Sequence, residues 1–493
     1  MGKEDATYLK DYKNLSTFEK LKYNLLTNLF TGSPIKKFIN GFQITFLGAA
    51  KTVTGSKYLL EKGKTKILLD CGLFQGLKEL RLRNWNALPI NPKNLDAVIL
   101  THAHLDHSGY LPLLIKNGFK GRIYCTEATF DLCKILLPDS GFLQEEDARY
   151  AKKHQFSKHK NPKPLYTQKD AINTFKYFYT VNFNEEIKIN DDFSFSIVRA
   201  GHIIGAGSVL VKSQDKSILF SGDLGRPNSP IVHNPAKIPH ADYIVVESTY
   251  GNRLHTETNP EDDLADIINK TVAKGGKIIM PAFSVGRTQK ILYYINRLKN
   301  RGQIPDLTVF LDSPMSVKVT QLIDDYVEEE KLSREEYRDI YKSAKFCITR
   351  EQSKRIGTIP GPCIIISASG MATGGRVLHH IANFGTKPNC TIVFAGYQAE
   401  GTRGRDLTDG KKEIKIHGNM VHVRAKIETL ANMSDHADCK EILEWLKAMP
   451  NPPKKVFVTH GEVSASQGLA RQIEEKLGWK TEIPEYLETE KLI

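Results

Sequence analysis

THAHLDH, residues 101–107, carries His102, His104, Asp106 and His107 in the order H-x-H-x-D-H. The run before it, LDAVIL at 95–100, has the continuous apolar character of a buried strand, so these four side chains sit on the loop at a strand end. Such a loop can aim several side chains into one small volume, because the strand beneath it is rigid. Imidazole and carboxylate are ligands for first-row metals, and the His-rich set favours zinc over thiolate-selecting or all-oxygen ions. The bland alternative, a polar loop with separately satisfied histidines, does not account for so many ligands this close together.

Outward from that loop, the chain repeats one pattern: a short apolar run, then a metal-competent side chain. Asp70 ends KILLD, His202 follows FSIVRAG, Asp223 ends SILFSGD, and His436 lies in NMSDHADC before an amphipathic helix. Alone, each would read as a capping or surface residue. FQITFLGAA, SKYLLEKG and TKILLDCG read as consecutive strands joined by tight turns, and strands return at GRIYCT, FSFSIVRAG, GSVLVKS, SILFSGD and ADYIVVES. Residues 127–179 look mainly helical. From about 252 to 398 the texture changes to apolar strands (KIIMPAF, LTVFLDS, CIIISAS, CTIVFAG) alternating with long helical patterns, which implies a parallel sheet with crossover helices. After 398 come EIKIH, HVRAKIETL and KKVFVTH as strands, with helices near 438–448 and 464–477.

The 493 residues allow two or more domains, and no apolar run is long enough to cross a bilayer. The first residues, MGKEDATYLKDYKN, lack the apolar core of a secretory signal. The seven cysteines are scattered, odd in number and without a C-x-x-C pair, which points to reduced thiols and a cytoplasmic protein. A net charge of +13 favours polyanionic partners. The densest basic stretch is Lys152, Lys153, His154, Lys158, His159, Lys160 and Lys163, either a solvated face or a phosphate-contacting patch. Residues 1–40 form an extension with helical spacing of Phe18, Leu21, Leu25 and Leu29; a role in docking a protein partner is open.

Taken together, the serial order of Asp70, the 102–107 cluster, His202 and Asp223 resembles the metallo-β-lactamase fold. The chain is similar in particular to the β-CASP branch of nucleic-acid-processing nucleases. The matching stretches are Glu247 in VVESTYG, His436 in SDHAD, FLGAAKTVTGS (46–56), LLDCGLFQG (68–76), PAFSVGRTQ (281–289), SASGMATGGRVLHH (367–380), AGYQAEGTRGR (395–405) and VTHGE (458–462). The resemblance implies a four-layered αββα metallo-β-lactamase domain in two segments, 41–251 and 399–493. It also implies an inserted α/β β-CASP domain at 252–398, with a nucleic acid strand in the cleft between them.

It further implies two Zn2+ ions, one held by His102, His104 and His202 and one by Asp106, His107 and His436, with Asp223 bridging and Asp70 orienting a ligand from behind. The implied reaction is hydrolysis of RNA phosphodiester bonds by a hydroxide that both ions activate, endonucleolytic with 5′→3′ exonuclease action as an addition. Single-stranded RNA is the implied partner, because DNA-repair members carry valine where His436 is matched; a homodimer is a further implication. Glu247 would position a catalytic histidine. For the general acid the resemblance breaks down: some relatives place a histidine where this chain has Arg405, and arginine does not give up its proton. His380 is then the preferred proton source, with His379 and His460 as alternatives. Ser284, Arg287, Ser367, Ser369, Gly370 and Arg376 would contact RNA phosphates. Asp435 is a second departure, placing a carboxylate where the pattern has a small residue. Two other readings stand beside this one: a small-ester hydrolase of the same fold, and a non-catalytic RNA-binding scaffold subunit.

Overall fold

The structure is a computed structural model that describes residues 41–155, 159–214 and 216–493. The expected N-terminal helix around Phe18–Leu29, with its docking role, and Lys158 of the basic stretch lie outside the described residues.

Two seven-stranded sheets face each other. The first runs, in spatial order, Thr489–Lys491, Phe42–Phe46, Tyr58–Lys62, Thr65–Leu69, Ala97–Ile99, Arg122–Cys125 and Phe178–Thr180. The second runs Thr481–Glu482, Lys455–Thr459, Tyr243–Glu247, Lys216–Phe220, Gly207–Ser213, Ser194–Arg199 and Ile187–Lys188. The period-two alternation of each strand decides what it buries against. Ile67 and Leu69 point between the sheets, as do Val245 and Phe457, while Leu68 and the pair Val246 and Val458 point to opposite outer faces. Between the sheets, aromatic rings interlock: Phe46 with Phe457 at 5.2 Å and Tyr58 with Phe220 at 5.4 Å between centroids. Outside the first sheet, Leu132 and Leu136 of the helix Glu127–Lys153 cover Leu68 and Val98; outside the second, Ile442 and Leu469 of two C-terminal helices cover Val246 and Val456. Each such fully buried aliphatic side chain contributes roughly 1.5–3 kcal/mol of transfer free energy. This is the αββα arrangement.

A third sheet has six strands, in the order Lys345–Phe346, Val309–Leu311, Ile364–Ser367, Ile278–Pro281, Thr391–Ala395 and Lys426–Leu430. Every pairing in it is parallel, as the strand–helix alternation implies. Its last strand lies beyond the expected boundary at residue 398. Lys426–Leu430 pairs with Thr391–Ala395 through five residue pairs, so the inserted unit's sheet reaches residue 430, and the chain rejoins the second sheet only at Lys455–Thr459. HVRAKIETL is a strand by composition, but composition does not say which sheet it joins. Among the described residues no helix is long and apolar enough to cross a membrane.

Candidate metal centre and active site

Strand C-terminal ends build the site. Parallel pairing of Thr65–Leu69 with Ala97–Ile99 brings Asp70 to the loop that starts at Thr101. Parallel pairing of Tyr243–Glu247 with Lys455–Thr459 sets Glu247 opposite Thr459 and leaves His460 as the next residue. Asp70 and His460 both have left-handed backbone, φ 56° and 49°, which costs a non-glycine residue energy and is often found at functional sites. Gly72 has a different purpose: a Cβ there would lie 1.5 Å from the carbonyl oxygen of Asp106, so only glycine lets the 70–76 loop lie against the ligand loop.

The ligand-type atoms converge in two groups. In one, His102, His104, His202 and Asp223 offer atoms all within 4.8 Å of one another. His102 Nε2 and His202 Nε2 lie 3.1 and 3.3 Å from His104 Nδ1, and both lie about the same distance from Asp223 Oδ2, 3.5 and 3.6 Å. The other group is Asp106, His107 and His460. His107 Nε2 is 3.1 Å from His460 Nε2 and 3.2 Å from Asp223 Oδ1. Asp223 therefore turns one oxygen to each group. Imidazole nitrogens facing one another in a buried space have lone pairs with no proton to share, and His104 Nε2 and Asp223 Oδ1 are buried without a hydrogen-bond partner among the described residues. That donor set fits metal cations. Burial holds His102 and His202 well below the usual histidine range, with His107 and His436 respectively adding to the effect, which leaves them in the neutral form that ligates. Burial opposes a charge on His107, but Asp223 and Asp70 overcome it and raise that group well above the usual range.

The residues behind the ligands are fixed. Asp70 Oδ2 accepts from His107 Nδ1 at 2.7 Å, and Asp70 Oδ1 accepts from the Thr101 amide at 2.8 Å. The expectation that His436 joins Asp106 and His107 does not match the geometry. His460 of VTHGE stands there instead, while His436 Nε2 is 4.0 Å from Asp223 Oδ2 and its Nδ1 is 3.0 Å from Glu247 Oε1. Glu247 is itself held by the amides of Leu224 and Thr249. Burial opposes the charge on His436, and Glu247 and Asp223 overcome it and push its pKa up to about 9. The sequence signal for His460 was the one used elsewhere, a histidine just after an apolar strand, here KKVFVTH.

The other candidates fall away from the centre. His380, on the helix Arg376–Phe384, is buried and bonded at 2.6 Å to Oδ2 of Asp312, just past the strand Val309–Leu311, so its ring is occupied and not poised to give a proton at the cluster. His379 stacks on His417. Arg405 Nε donates to Asp409 Oδ2 at 2.8 Å and its Nη1 lies 3.6 Å from Glu462. Three of the expected phosphate contacts are consumed inside the protein. Ser284 Oγ accepts from Ser316, Ser367 Oγ donates to the Asp312 carbonyl, and Arg287 is buried against Asp435. Arg376 is paired with Asp312 at 2.8 Å, Gly370 packs on Phe283, and Ser369, partly exposed, pairs with Thr373. Asp435 is buried between Arg287 and Lys290, and its carbonyl oxygen lies 3.3 Å from His202 Nδ1.

The αββα layers with a two-lobed histidine–aspartate centre define a metallo-β-lactamase-type hydrolase, and residues 52–265 match the metallo-beta-lactamase superfamily. Residues 288–407 match the Beta-Casp domain, and residues 420–484 match the Zn-dependent metallo-hydrolase RNA specificity domain. The chain belongs to the β-CASP family of metallo-β-lactamase-fold nucleases. It is 34% identical over 429 residues to Ribonuclease TTHA0252 of Thermus thermophilus, covering 85% of this chain and 93% of that one. It is 31% identical over 470 residues to the transcription termination factor FttA of Methanosarcina mazei, covering 92% and 72%. It is 30% identical over 459 residues to an RNase J-like protein of Methanocaldococcus jannaschii, covering 90% and 97%. Among solved structures, a protein of unknown function from Enterococcus faecalis superposes with a TM-score of 0.51 at 15% identity, over 92% of this chain and 100% of that one, a likeness of fold.

Proposed function

We propose that this chain is a zinc-dependent ribonuclease that hydrolyses phosphodiester bonds of single-stranded RNA and uses two zinc ions. The observation that carries the reading is Asp223, whose two oxygens face two separate groups of buried imidazoles, with the Glu247-backed His436 beside it. The RNA specificity domain matched at 420–484 and the ribonuclease relatives support RNA as the substrate. Buried cysteines without disulfides favour a reducing compartment such as the cytoplasm.

His102, His104, His202 and Asp223 would hold one ion, and Asp106, His107, His460 and Asp223 the other. When bound, zinc supplies Lewis acidity toward the phosphate oxygens and makes water acidic enough to act as a nucleophile near neutral pH. The protein's own groups do the rest. Asp70 accepts the Nδ1 proton of His107 and thereby turns the Nε2 lone pair inward. Glu247 accepts the Nδ1 proton of His436, so the proton available for donation sits on Nε2, on the side of Asp223. As water oxygen bonds to phosphorus and the P–O3′ bond breaks, His436 gives that proton to the 3′-oxygen. The products are a 3′-hydroxyl and a 5′-phosphate. The proton that the water loses leaves through Asp106, whose side chain is 22% exposed. Arg405, which stays charged, takes no part in proton transfer.

The test is cleavage of end-labelled single-stranded RNA and of matched DNA by the purified protein, beside an Asp106→Ala, His107→Ala variant. RNA cutting that the variant lacks is expected, and product lengths separate endonucleolytic from 5′→3′ exonucleolytic action. Intact RNA after incubation with protein carrying two zinc ions would refute the reading.

A further inference from the structure

Two residues of one stretch of chain hold His436. Glu247, the last residue of the strand Tyr243–Glu247, accepts the Nδ1 proton of its ring. His255, further along, reaches its main chain: His255 Nε2 lies 2.9 Å from the His436 carbonyl oxygen. A carbonyl oxygen only accepts, so His255 carries a proton on Nε2 and donates it there. Burial, with the Arg226 guanidinium adding to it, holds His255 below the usual histidine range, so the ring is neutral and has that one proton. Its other nitrogen, Nδ1, is buried without a hydrogen-bond partner among the described residues. The hydrogen bonding of this buried imidazole is thus directed at His436.

His255, Asp438 and Glu441 offer ligand-type atoms all within 4.8 Å of one another, but the two carboxylates are already engaged. Asp438 accepts from the amides of His255 and Glu441 at 2.8 and 2.9 Å, and Glu441 accepts from Arg226 Nε at 3.1 Å. A guanidinium beside Glu441 repels a further cation. These bonds instead fix His255 itself. Its amide is tied to Asp438, which caps the helix Cys439–Lys447, and its ring lies against Tyr250 at 4.7 Å between centroids. The loop that carries His436 is also anchored on both sides: Arg226 Nη1 donates to the Asn432 carbonyl, and the Ala437 amide donates to the Leu224 carbonyl. His255 anchors it at His436.

A general acid must bring its proton within hydrogen-bond reach of the leaving oxygen. Glu247 sets the tautomer of His436, but a ring held at one atom pivots about that atom when its backbone shifts. The bond from His255 to the carbonyl removes the pivot. We propose that His255 is a positioning residue for leaving-group protonation: by fixing the main chain of His436, it keeps Nε2 of that ring where the departing 3′-oxygen takes its proton. The inference rests on the reading of His436 as the proton donor. No bond is made or broken at His255, and its own proton stays on Nε2.

The experiment compares two oligouridylates with the zinc-loaded full-length protein: RNA, and the same RNA with sulfur in place of the 3′-oxygen at one internal linkage. A 3′-thiolate departs without taking a proton, so cutting at that linkage needs no general acid. The ratio of the two rates is read on one preparation and does not depend on how much of a variant is folded. His255→Phe keeps a ring against Tyr250 and removes the donor. Its kcat on RNA is expected to fall roughly 10–100-fold with KM unchanged, as for a displacement of about an ångström, while its rate at the sulfur linkage matches the wild type. His255→Gln, whose side-chain amide can donate to the same carbonyl, is expected to recover most of the RNA rate. A merely structural His255 would move both substrates together. Wild-type kcat on RNA in His255→Phe overturns the proposal, as does an unchanged ratio, or a His255→Gln no better than His255→Phe. His436→Ala is the reference, expected to lose the RNA rate and keep the sulfur rate. Equal slowing of both by His436→Ala removes the donor reading and the proposal with it. A split ratio in His436→Ala without one in His255→Phe removes the proposal alone, and a wild type that cuts neither substrate removes the ribonuclease reading.

Discussion

Replacing Asp435 by alanine is the perturbation whose size the structure defines best. Asp435 accepts from Arg287 Nε at 3.1 Å and Nη2 at 2.9 Å, and from Lys290 Nζ. The three side chains are 10%, 4% and 6% exposed. Removing the carboxylate leaves two cations facing each other in the interior with no anion between them. Breaking a buried pair in this way costs about 3–5 kcal/mol, because the surviving charge keeps its desolvation penalty. For a chain of this length the unfolding entropy is on the order of 1 kcal/mol per kelvin, so the melting temperature should fall by about 3–5 °C. Differential scanning calorimetry of the zinc-loaded protein reads this directly. Asp435→Asn should lose nearly as much, since its shape is kept and its charge is not. Asp435→Leu with Arg287→Leu and Lys290→Met should recover most of the loss, because it removes every charge of the cluster at once. A shift below about 1 °C for Asp435→Ala would refute the reasoning, as it would mean that water or another group already neutralises Arg287 and Lys290.

Three further outcomes are expected. His460→Ala should lower zinc stoichiometry by elemental analysis, whereas His436→Ala should keep both ions and reduce kcat by roughly 10²–10⁴-fold; the reverse pattern would return His436 to the ligand set. Burial pushes Glu330 up to about 8, so the folded chain keeps a proton that the unfolded chain releases. That stabilisation is complete below the ordinary glutamate range and is lost as pH rises toward 8, by up to about 5 kcal/mol; Glu330→Gln should flatten the melting temperature between pH 5 and 8, and an unchanged slope would exclude the assignment. Gly72→Ala should lower stability and zinc content together, because its Cβ would lie 1.5 Å from the Asp106 carbonyl; wild-type zinc content in that variant would contradict the close approach.

The ligand loop was legible because its information is local. H-x-H-x-D-H behind an apolar strand needs no knowledge of distant contacts, and Asp70, His202 and Asp223 carried the same signature of a strand followed by a ligand. The α/β class and the parallel third sheet followed from periodicity in the same way, whereas the four layers were what the family resemblance implied. What periodicity leaves open is which strand end meets which. His436 and His460 both end short segments near the C-terminus, and only the parallel register of Lys455–Thr459 against Tyr243–Glu247 puts His460 beside His107 and leaves His436 to Glu247. The same limit applies to Lys426–Leu430, which is a strand in either sheet until its partner, Thr391–Ala395, is known. Ser284, Ser367 and Arg287 read as surface contacts because their residue types suit phosphate, but all three are buried, bonded to Ser316, Asp312 and Asp435 respectively. The sequence by itself determined the chemistry on offer, a set of histidines and carboxylates on strand-end loops. The tertiary structure decided the assignment of each to a role, because a ligand is defined by what stands within a few ångströms of it, and His107 and His460, 3.1 Å apart, lie 353 positions apart along the chain.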